Sequence, residues 1–260
     1  HVLDLLRPSN VLLSDDNVAL IDTYLAVRDD VENLIRLLAR HRRSHSKEHY
    51  YRVRAQNPGR YSGTARAARL IYLNRTCFNG LYRVNSGGGF NVPMGRYKEP
   101  RILDAENLRA ASAALAGATI RASHFRTTAG HARAGDFVYF DPPYHPLSRT
   151  ANFTSYTRGA FSAADQDELA DLFSLLARRG CRVMLSNSDC PFIRDLFRGF
   201  EIRTVMARRS INSNSGRRGP IREVVVLNYE PEPVMLSGSV STDASRRPRT
   251  ARRQHLPPAP

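Results

Sequence analysis

Cysteine, tryptophan and long apolar runs are scarce or absent in this sequence. It has three cysteines, Cys77, Cys181 and Cys190, and no tryptophan. The cysteines form no CxxC pair and are odd in number, which disfavours a disulfide framework or a zinc site, so we expect no bound metal. No apolar run approaches the roughly 18 residues that a membrane-spanning helix needs, and no apolar signal segment follows His1. We therefore expect no membrane association, and a location in the reducing cytoplasm.

Acidic residues are nearly missing from one stretch, 36–101, which carries 15 Lys or Arg against only Glu48 and Glu99. The formal charge of this basic stretch is +13, most of the +15 carried by all 260 residues. A cationic surface of this density attracts a polyanion, because each phosphate that it neutralises releases condensed counterions. We therefore favour nucleic acid as the partner, with a merely solvated basic face as the alternative.

The pattern of apolar residues and turn residues predicts alternating strands and helices on both sides of the basic stretch. The predicted strands are 11–13, 136–140, 181–185, 202–206 and 224–229. The predicted helices are 18–38, 65–74, 103–115, 162–178 and 191–197, with Ser162 as an N-cap and Asp165 three residues later. Residues 41–61 are predicted to form a loop, and residues 82–97 a β-hairpin that turns at 86–89.

This order of elements indicates an α/β fold with an insertion. Residues 1–17 and 104–230 are expected to form the sheet domain, and residues 18–103 a mostly helical insertion that carries the hairpin. Pro, Ser and Arg dominate residues 231–260, which we expect to be a disordered basic tail. In open α/β sheets, ligands bind beyond the C-terminal ends of the strands, where Asp15 and Asp141 both lie.

The sequence Asp141-Pro142-Pro143-Tyr144 directly follows the apolar strand 136–140. A site that methylates an exocyclic amino group must accept its N–H groups and hold its nitrogen in line with the methyl group. A carboxylate and a carbonyl fixed by neighbouring prolines can do this, and a following tyrosine can stack on a base taken out of a duplex. The alternative is an ordinary Pro-Pro turn after a strand.

The stretch 137–144 resembles the catalytic motif of the Dam-like DNA N6-adenine methyltransferases, the D12 class. Further matching segments occur in the same order along the chain. They are Asn74-Arg75, Phe78 to Leu81, Arg83, Asn85, Phe90 to Pro93, Gly95 to Tyr97, Pro146 to Ser148, Thr150 to Thr154, Tyr156, Ser186-Asn187, Arg208 to Ile211 and Ser213-Asn214. The resemblance extends from about Leu12 to Tyr229. It implies a Rossmann-like methyltransferase sheet and S-adenosylmethionine as methyl donor.

The resemblance also implies roles for individual residues. Asp141 and Pro142 would bind the target amino group, with Pro143 in the same loop, and Tyr144 would stack on the flipped adenine. Asp15 would bind the ribose hydroxyl groups of the cofactor, although taken alone it is more readily explained as a helix-capping residue. Phe125 would contact the adenine of the cofactor, and Asp141 would border the same pocket.

In the hairpin region, the resemblance implies contacts with double-stranded DNA. Arg83 would contact guanine, because Arg to guanine O6 and N7 is the commonest specific base contact. Phe78 would enter the base stack beside Asn79, although packing in the core is an alternative for this residue. Two further groups would take part in binding. Leu81, Pro93 and Tyr97 would line the base-contacting surface, with Arg75 beside them, and Asn85 and Arg96 would hold phosphate. The expected target is a GATC-like sequence, methylated by a monomer.

The family pattern begins with two glycine-bearing segments that hold the methionine end of the cofactor, and this sequence has no match to them. We therefore expect a chain truncated at the front of its cofactor site. The leading hypothesis is a site-specific DNA adenine methyltransferase. The first alternative is a catalytically silent DNA-binding remnant of such an enzyme. A second alternative, an amino-methyltransferase acting on RNA or protein, is disfavoured by the residues around Arg83.

Overall fold

The computed structural model describes residues 8–85, 87–147, 161–208 and 220–231. Several predictions fall outside these ranges: the start of the chain, the family matches at 148, 150–154, 156, 209–211 and 213–214, and all of the predicted tail beyond Pro231. None of the helices in the described ranges has the length and apolar character needed to cross a membrane.

Helices dominate the first half of the described chain. They are α1 (Val18–Asp29), α2 (Val31–Arg43), α3 (Lys47–Ala55), α4 (Gly63–Thr76) and α5 (Ala105–Leu115), with short 3-10 turns at Pro58–Arg60 and Phe78–Gly80. The second half contains α6 (Phe125–Ala129), α7 (Ala163–Arg178) and α8 (Pro191–Leu196). Ser162 and Asp165 form the reciprocal capping box of α7, which confirms the predicted start of this helix.

The strands form two sheets among the described residues. In the first, β1 (Leu12–Asp15) pairs in parallel with β2 (Thr119–Ala122). The second has the order β3-β4-β6-β5 and is built from β3 (Phe137–Phe140), β4 (Arg182–Ser188), β5 (Glu201–Arg208) and β6 (Pro220–Leu227). β3 and β4 are parallel, whereas β6 is antiparallel to both β4 and β5. The α/β class is confirmed, and a single Rossmann-like sheet stays a prediction.

Two predictions for the first half of the described chain are wrong. The predicted helix 18–38 is two helices, because the backbone at Asp30 leaves the helical region (φ −144°). The side chain of Asp30 instead accepts hydrogen bonds from Asn33 and from Thr64 on α4. The predicted loop 41–61 contains α3, whose first turn is capped by Ser46. Strand β2 and helix α6 were not predicted at all.

Two apolar cores hold these elements together. The first joins α1 to α5 with β1 and β2, and its fully buried side chains include Leu34, Leu38, Tyr50, Tyr72 and Leu73. The second lies between α7 and the four-stranded sheet, with Phe173 packed against Phe197 and Phe200. The first core contains residues from both sides of position 103/104, so the predicted boundaries of the insertion stay a prediction.

Candidate functional site

The loop 141–145 lies at the C-terminal end of β3. Because β3 and β4 are parallel and Phe140 is paired with Leu185, Asp141 lies beside Ser186. The Ser186 hydroxyl donates a hydrogen bond to Asp141 Oδ1 at 2.7 Å, and it also lies 3.0 Å from the Tyr139 hydroxyl. One oxygen of this exposed carboxylate is therefore fixed by the neighbouring strand, and the side chain is accessible to a ligand.

The two prolines of the loop place their carbonyl groups differently. Pro143 O accepts a hydrogen bond of 3.0 Å from Gln166 Nε2 on α7. Among the hydrogen bonds of the described residues, none is made to Pro142 O. The loop thus presents two acceptors for a donor such as an amino group: the carboxylate of Asp141 and the carbonyl of Pro142.

Tyr144 lies at the rim of this loop and is 37% exposed. Its hydroxyl is 3.5 Å from Glu223 Oε2, and burial, with the negative charges of Asp141 and Glu223, raises the pKa of the phenol. The hydroxyl is therefore protonated at neutral pH. The ring is accessible enough to stack on a planar ligand. The next residue, His145, stacks on Phe192 at 4.5 Å between ring centroids.

Asp15 and Phe125 lie at the C-terminal end of the two parallel strands β1 and β2. Asp15 is the last residue of β1, opposite Ala122, and its Oδ1 accepts a hydrogen bond of 2.7 Å from the backbone of Asn17. Asn17, not Asp15, is the N-cap of α1. Phe125 begins α6, is half-buried, and packs against Phe161 at 5.8 Å. Helix α6 contacts both β1 and α7.

The predicted hairpin is held by isolated backbone pairings rather than by long strands. Cys77 is bridged to Met94, and Val84 to Phe90. Around the first bridge, Phe78 N donates to Pro93 O and Gly95 N donates to Thr76 O, both at 2.8 Å. These pairings bring residues 75–85 and 89–97 together as one surface, which we call the hairpin surface.

The hairpin surface exposes the residues that the sequence predicted to contact nucleic acid, while Cys77, Phe90 and Val92 between them are buried. Phe78 is 40% exposed, so it is not part of the core. The exposed predicted residues are Arg75, Phe78, Leu81, Arg83, Asn85, Pro93, Arg96 and Tyr97, and Asn79 is half-buried. Asn79 adopts a left-handed backbone conformation (φ 54°), which asparagine tolerates better than most residues.

Two polar residues of the hairpin surface are held in place by hydrogen bonds. Arg83 donates from Nε to Asn91 Oδ1 at 2.7 Å and from Nη2 to Asn91 O at 3.3 Å. Asn85 Oδ1 accepts from the backbone of Gly87 and Gly89, which fixes the glycine-rich turn. The Nδ2 group of Asn85 then remains the donor that this side chain can offer to an anion.

The positive charge of the basic stretch lies largely at the protein surface. Of its 15 Lys and Arg side chains, twelve are exposed, Arg54 and Arg66 are half-buried, and Arg69 is buried. Arg42, Arg43 and Lys47 cluster at the junction of α2 and α3. The exposed cations and the hairpin surface belong to one segment of the chain and offer a polyanion many contacts.

Comparison with known proteins gives a consistent result. Residues 2–211 match the family described as D12 class N6 adenine-specific DNA methyltransferase. The chain is 45% identical to a type II methyltransferase, M1.LlaDCHI, from Lactococcus lactis over 86% of this chain and 81% of the relative. It is 42% identical to the type II methyltransferase M.MjaIII from Methanocaldococcus jannaschii (84% and 80%), and 38% identical to a DNA adenine methylase from Vibrio cholerae (83% and 79%).

The chain belongs to the D12 class of N6-adenine-specific DNA methyltransferases. Enzymes of this class use S-adenosylmethionine as methyl donor. The resemblance stated from the sequence is thereby confirmed for the family as a whole. The roles of the individual residues stay predictions that the geometry can support.

The end of the two-stranded sheet fits the nucleoside half of S-adenosylmethionine. Asp15 is exposed, and only one of its carboxylate oxygens has a hydrogen-bond partner among the described residues, so the other can accept from a ribose hydroxyl group. The half-buried ring of Phe125 is an apolar group of the kind that suits an adenine. Arg121, on the neighbouring strand β2, has a buried Nε that is an unsatisfied hydrogen-bond donor in the described part of the chain. For a metal ion, the described residues contain no suitable cluster of His, Cys, Asp or Glu.

Four residues that support the predicted site were not assigned a role from the sequence: Ser186, Gln166, Asn187 and Asn91, of which Ser186 bonds to Asp141. Gln166 and Asn187 support the loop 141–145, and Asn91 supports Arg83. Asn187 and Asn91 lie in segments that match the family, which is a signal that could have drawn attention to them. Gln166 lies in the first turns of an amphipathic helix, where a polar residue is ordinarily exposed.

Proposed function

We propose that the protein transfers a methyl group from S-adenosylmethionine to the N6 atom of an adenine in double-stranded DNA. The observation that carries the proposal is the arrangement at the end of β3. There, Ser186 fixes one oxygen of Asp141 at 2.7 Å, and Pro142 O has no internal partner among the described residues. A carboxylate and a carbonyl beside a half-exposed tyrosine suit a planar base that carries an amino group.

In this proposal the residues of the loop act on the amino group directly. When bound, S-adenosylmethionine supplies a methyl group activated by its sulfonium charge. Asp141 accepts one N–H of the adenine amino group and Pro142 O accepts the other, which orients the nitrogen lone pair. Asp141 is also placed to take the proton that the nitrogen loses when it gains a carbon. Tyr144 stacks on the adenine, which has to leave the duplex to reach the loop.

The basic stretch would bind the duplex. Its exposed cations contact phosphate groups, which hold the DNA without distinguishing its sequence, and the hairpin surface contacts base edges. Arg83 would bind guanine, so that a GATC-like sequence is preferred, while Asn85 and Arg96 would hold phosphate. Phe78, with its exposed ring, would fill the space that the flipped base leaves.

These assignments imply a division of labour along the chain. Residues 1–17 and 104–230 would form the catalytic part, with a Rossmann-like methyltransferase sheet, and residues 18–103 the target-recognition insertion. The protein would act as a monomer on duplex DNA, without a metal ion. Asp15 and Phe125 would hold the nucleoside of the cofactor at the edge next to α6.

The test is methyl transfer from tritiated S-adenosylmethionine to a GATC duplex, measured alongside duplex binding. Asp141→Ala should lower the turnover at least 100-fold, equivalent to about 2.7 kcal/mol of barrier, and leave binding nearly unchanged. Asp136→Ala is the matched control, because Asp136 precedes the same strand and its side chain accepts a hydrogen bond from the backbone N–H of Arg133, away from the loop 141–145. Near-normal turnover of Asp141→Ala would refute the proposed mechanism. Binding without any methyl transfer by the unmodified chain would support the alternative, a silent DNA-binding member of the family.

A further inference from the structure

Two side-chain amides, Gln166 on α7 and Asn187 on β4, are buried together beneath the loop 141–145. Gln166 is 1% exposed and Asn187 is not exposed at all. Asn187 Nδ2 donates to Gln166 Oε1 at 3.1 Å, so the two amides form one unit. Full burial of two polar side chains is unfavourable unless their hydrogen bonds are made, so the partners of this amide pair identify what it stabilises.

The amide pair bonds to the loop on both sides of Tyr144. Gln166 Nε2 donates to Pro143 O at 3.0 Å, and Asn187 Oδ1 accepts from His145 N at 2.9 Å. The same oxygen of Asn187 accepts from Ser188 N at 2.8 Å, which ties the pair to the end of β4. The residues before and after Tyr144 are therefore attached to the second core through side chains rather than through a strand.

This attachment has a consequence for the acceptors of the loop. Of the two proline carbonyls, that of Pro143 accepts from Gln166, whereas that of Pro142 has no partner among the described residues and can accept from a ligand. Both prolines also lack a backbone N–H, so the loop cannot be held there by an ordinary strand pairing. An apolar pair at 166 and 187 would fill the same volume, but it would leave Pro143 O and His145 N without partners.

We propose that Gln166 and Asn187 are positioning residues, which hold the Pro142 carbonyl and the Tyr144 ring in the geometry that receives the target base. The proposal rests on the proposed function, because it assigns the amide pair a role in that reaction. It adds that the placement of the base depends on two buried side chains that do not touch it. Loss of the pair should affect base placement and turnover much more than binding of the duplex.

The first measurement is hydrogen exchange, which needs no enzymatic activity. A peptide covering 140–147 reports on few amides, since three of its residues are prolines. In Gln166→Met, which keeps the length of the side chain but not its hydrogen bonds, the amides of this peptide should exchange at least about tenfold faster. Peptides from β5 and β6 should be unchanged. Equal loop exchange in Gln166→Met and the unmodified protein would overturn the proposal.

The matched control is Asn228→Leu. Asn228 Oδ1 accepts from Val183 N and its Nδ2 donates to Cys181 O, so this side chain makes a comparable pair of bonds near the opposite end of β4. A general loss of stability should therefore be similar in the two variants. Only Gln166→Met should speed up exchange in the loop 141–145. Faster loop exchange in both variants would mean that the amide pair contributes only to general stability, and it would overturn the proposal.

The second measurement is functional. Gln166→Met should lower kcat by about 10- to 100-fold, because small misplacements of reacting groups have effects of this size, and change KM for DNA less than about threefold. With 2-aminopurine at the target position, its fluorescence increase on binding should be smaller in Gln166→Met than in Asn228→Leu. An unchanged kcat and an unchanged 2-aminopurine signal would overturn the proposal. If the unmodified protein transfers no methyl group, the proposed function fails, and the 2-aminopurine signal still decides whether the pair positions the base.

Discussion

Arg83 offers the sharpest test of how the hairpin surface recognises DNA. Its Nε and one N–H of Nη2 are bonded to Asn91, and together they form one side of the guanidinium. Among the described residues, none accepts a hydrogen bond from Nη1. The outer edge of the guanidinium, which carries one N–H of Nη1 and the second N–H of Nη2, is therefore accessible. Those two donors match the O6 and N7 acceptors of guanine in the major groove. We therefore expect Asn91 to hold Arg83 in an orientation that suits a guanine.

The contacts of Arg83 and Asn91 determine how much DNA affinity each variant should lose. Arg83→Ala removes both bonds to guanine and should cost roughly 1–3 kcal/mol, a loss of about 5- to 150-fold in affinity for the cognate duplex. Asn91→Ala leaves the guanidinium intact but mobile. Holding one flexible side chain costs about 0.5–1.5 kcal/mol, so this variant should lose only about 2- to 12-fold. In the double variant the two losses should not add, because both act through the same contact.

The assay is fluorescence anisotropy with a GATC duplex and a duplex in which the guanine is replaced, over a series of salt concentrations. Arg83→Ala and Asn91→Ala should lose affinity for the cognate duplex only. Arg96→Ala is the matched control: it should weaken binding to both duplexes alike and make the salt dependence shallower by about one unit. If Arg83→Ala weakens both duplexes equally, Arg83 holds phosphate instead, and the expectation of a GATC-like target loses its main support.

Two further predictions concern the helical half of the protein and the hairpin surface. Burial and the neighbouring charge of His49 lower the pKa of His41 from 6.5 to about 4. As the pH falls, His41 is therefore protonated in the unfolded chain before it is protonated in the folded protein. The free energy of unfolding should fall by about 2–3 kcal/mol between pH 6.5 and 4. Urea unfolding should show a smaller fall in His41→Phe, and equal falls would contradict this explanation. Gly95→Ala would place a methyl group 2.8 Å from the backbone oxygen of Cys77 and should lower stability by about 1–3 kcal/mol and weaken DNA binding. Gly199→Ala, with no neighbour within 4 Å, is the control in thermal unfolding, and similar losses in both variants would refute the steric argument.

The error at residues 41–61 shows where local patterns mislead. Charged and polar side chains dominate this stretch, which suggested a loop. In the structure, Arg69 from α4 donates to the carbonyl groups of Val53 and Arg54 in the last turn of α3, where Val53 O also accepts from the N–H of the C-cap residue Gln56. Tyr50 and Val53 are the buried residues of α3. The helix is therefore stabilised by a residue more than ten positions away, which a local window cannot detect.

The break between α1 and α2 has a similar origin. The apolar stripe of the sequence continues from 18 to 38, so periodicity alone predicts one helix. Asp30 interrupts it because its carboxylate bonds to Thr64 at 2.7 Å, a contact with α4 that no local pattern encodes. By contrast, the start of α7 depends on Ser162 and Asp165, three residues apart, and this start was predicted correctly. The start of α7 was therefore predictable from neighbours in sequence, whereas the break at Asp30 involves a neighbour in space.

The same distinction applies to the positive charge of the basic stretch. A count of residues gives equal weight to its 15 Lys and Arg, but in the structure these side chains differ in burial and in bonding. Arg69 is buried and bonded to carbonyl groups of α3, and Arg66 forms an ion pair with Asp22 at 2.8 Å. These two cations stabilise the helical half of the protein, so they add little to the attraction for phosphate. The charge that favours binding of DNA is therefore smaller than the +13 of the sequence, because Arg66 and Arg69 are already bonded within the protein.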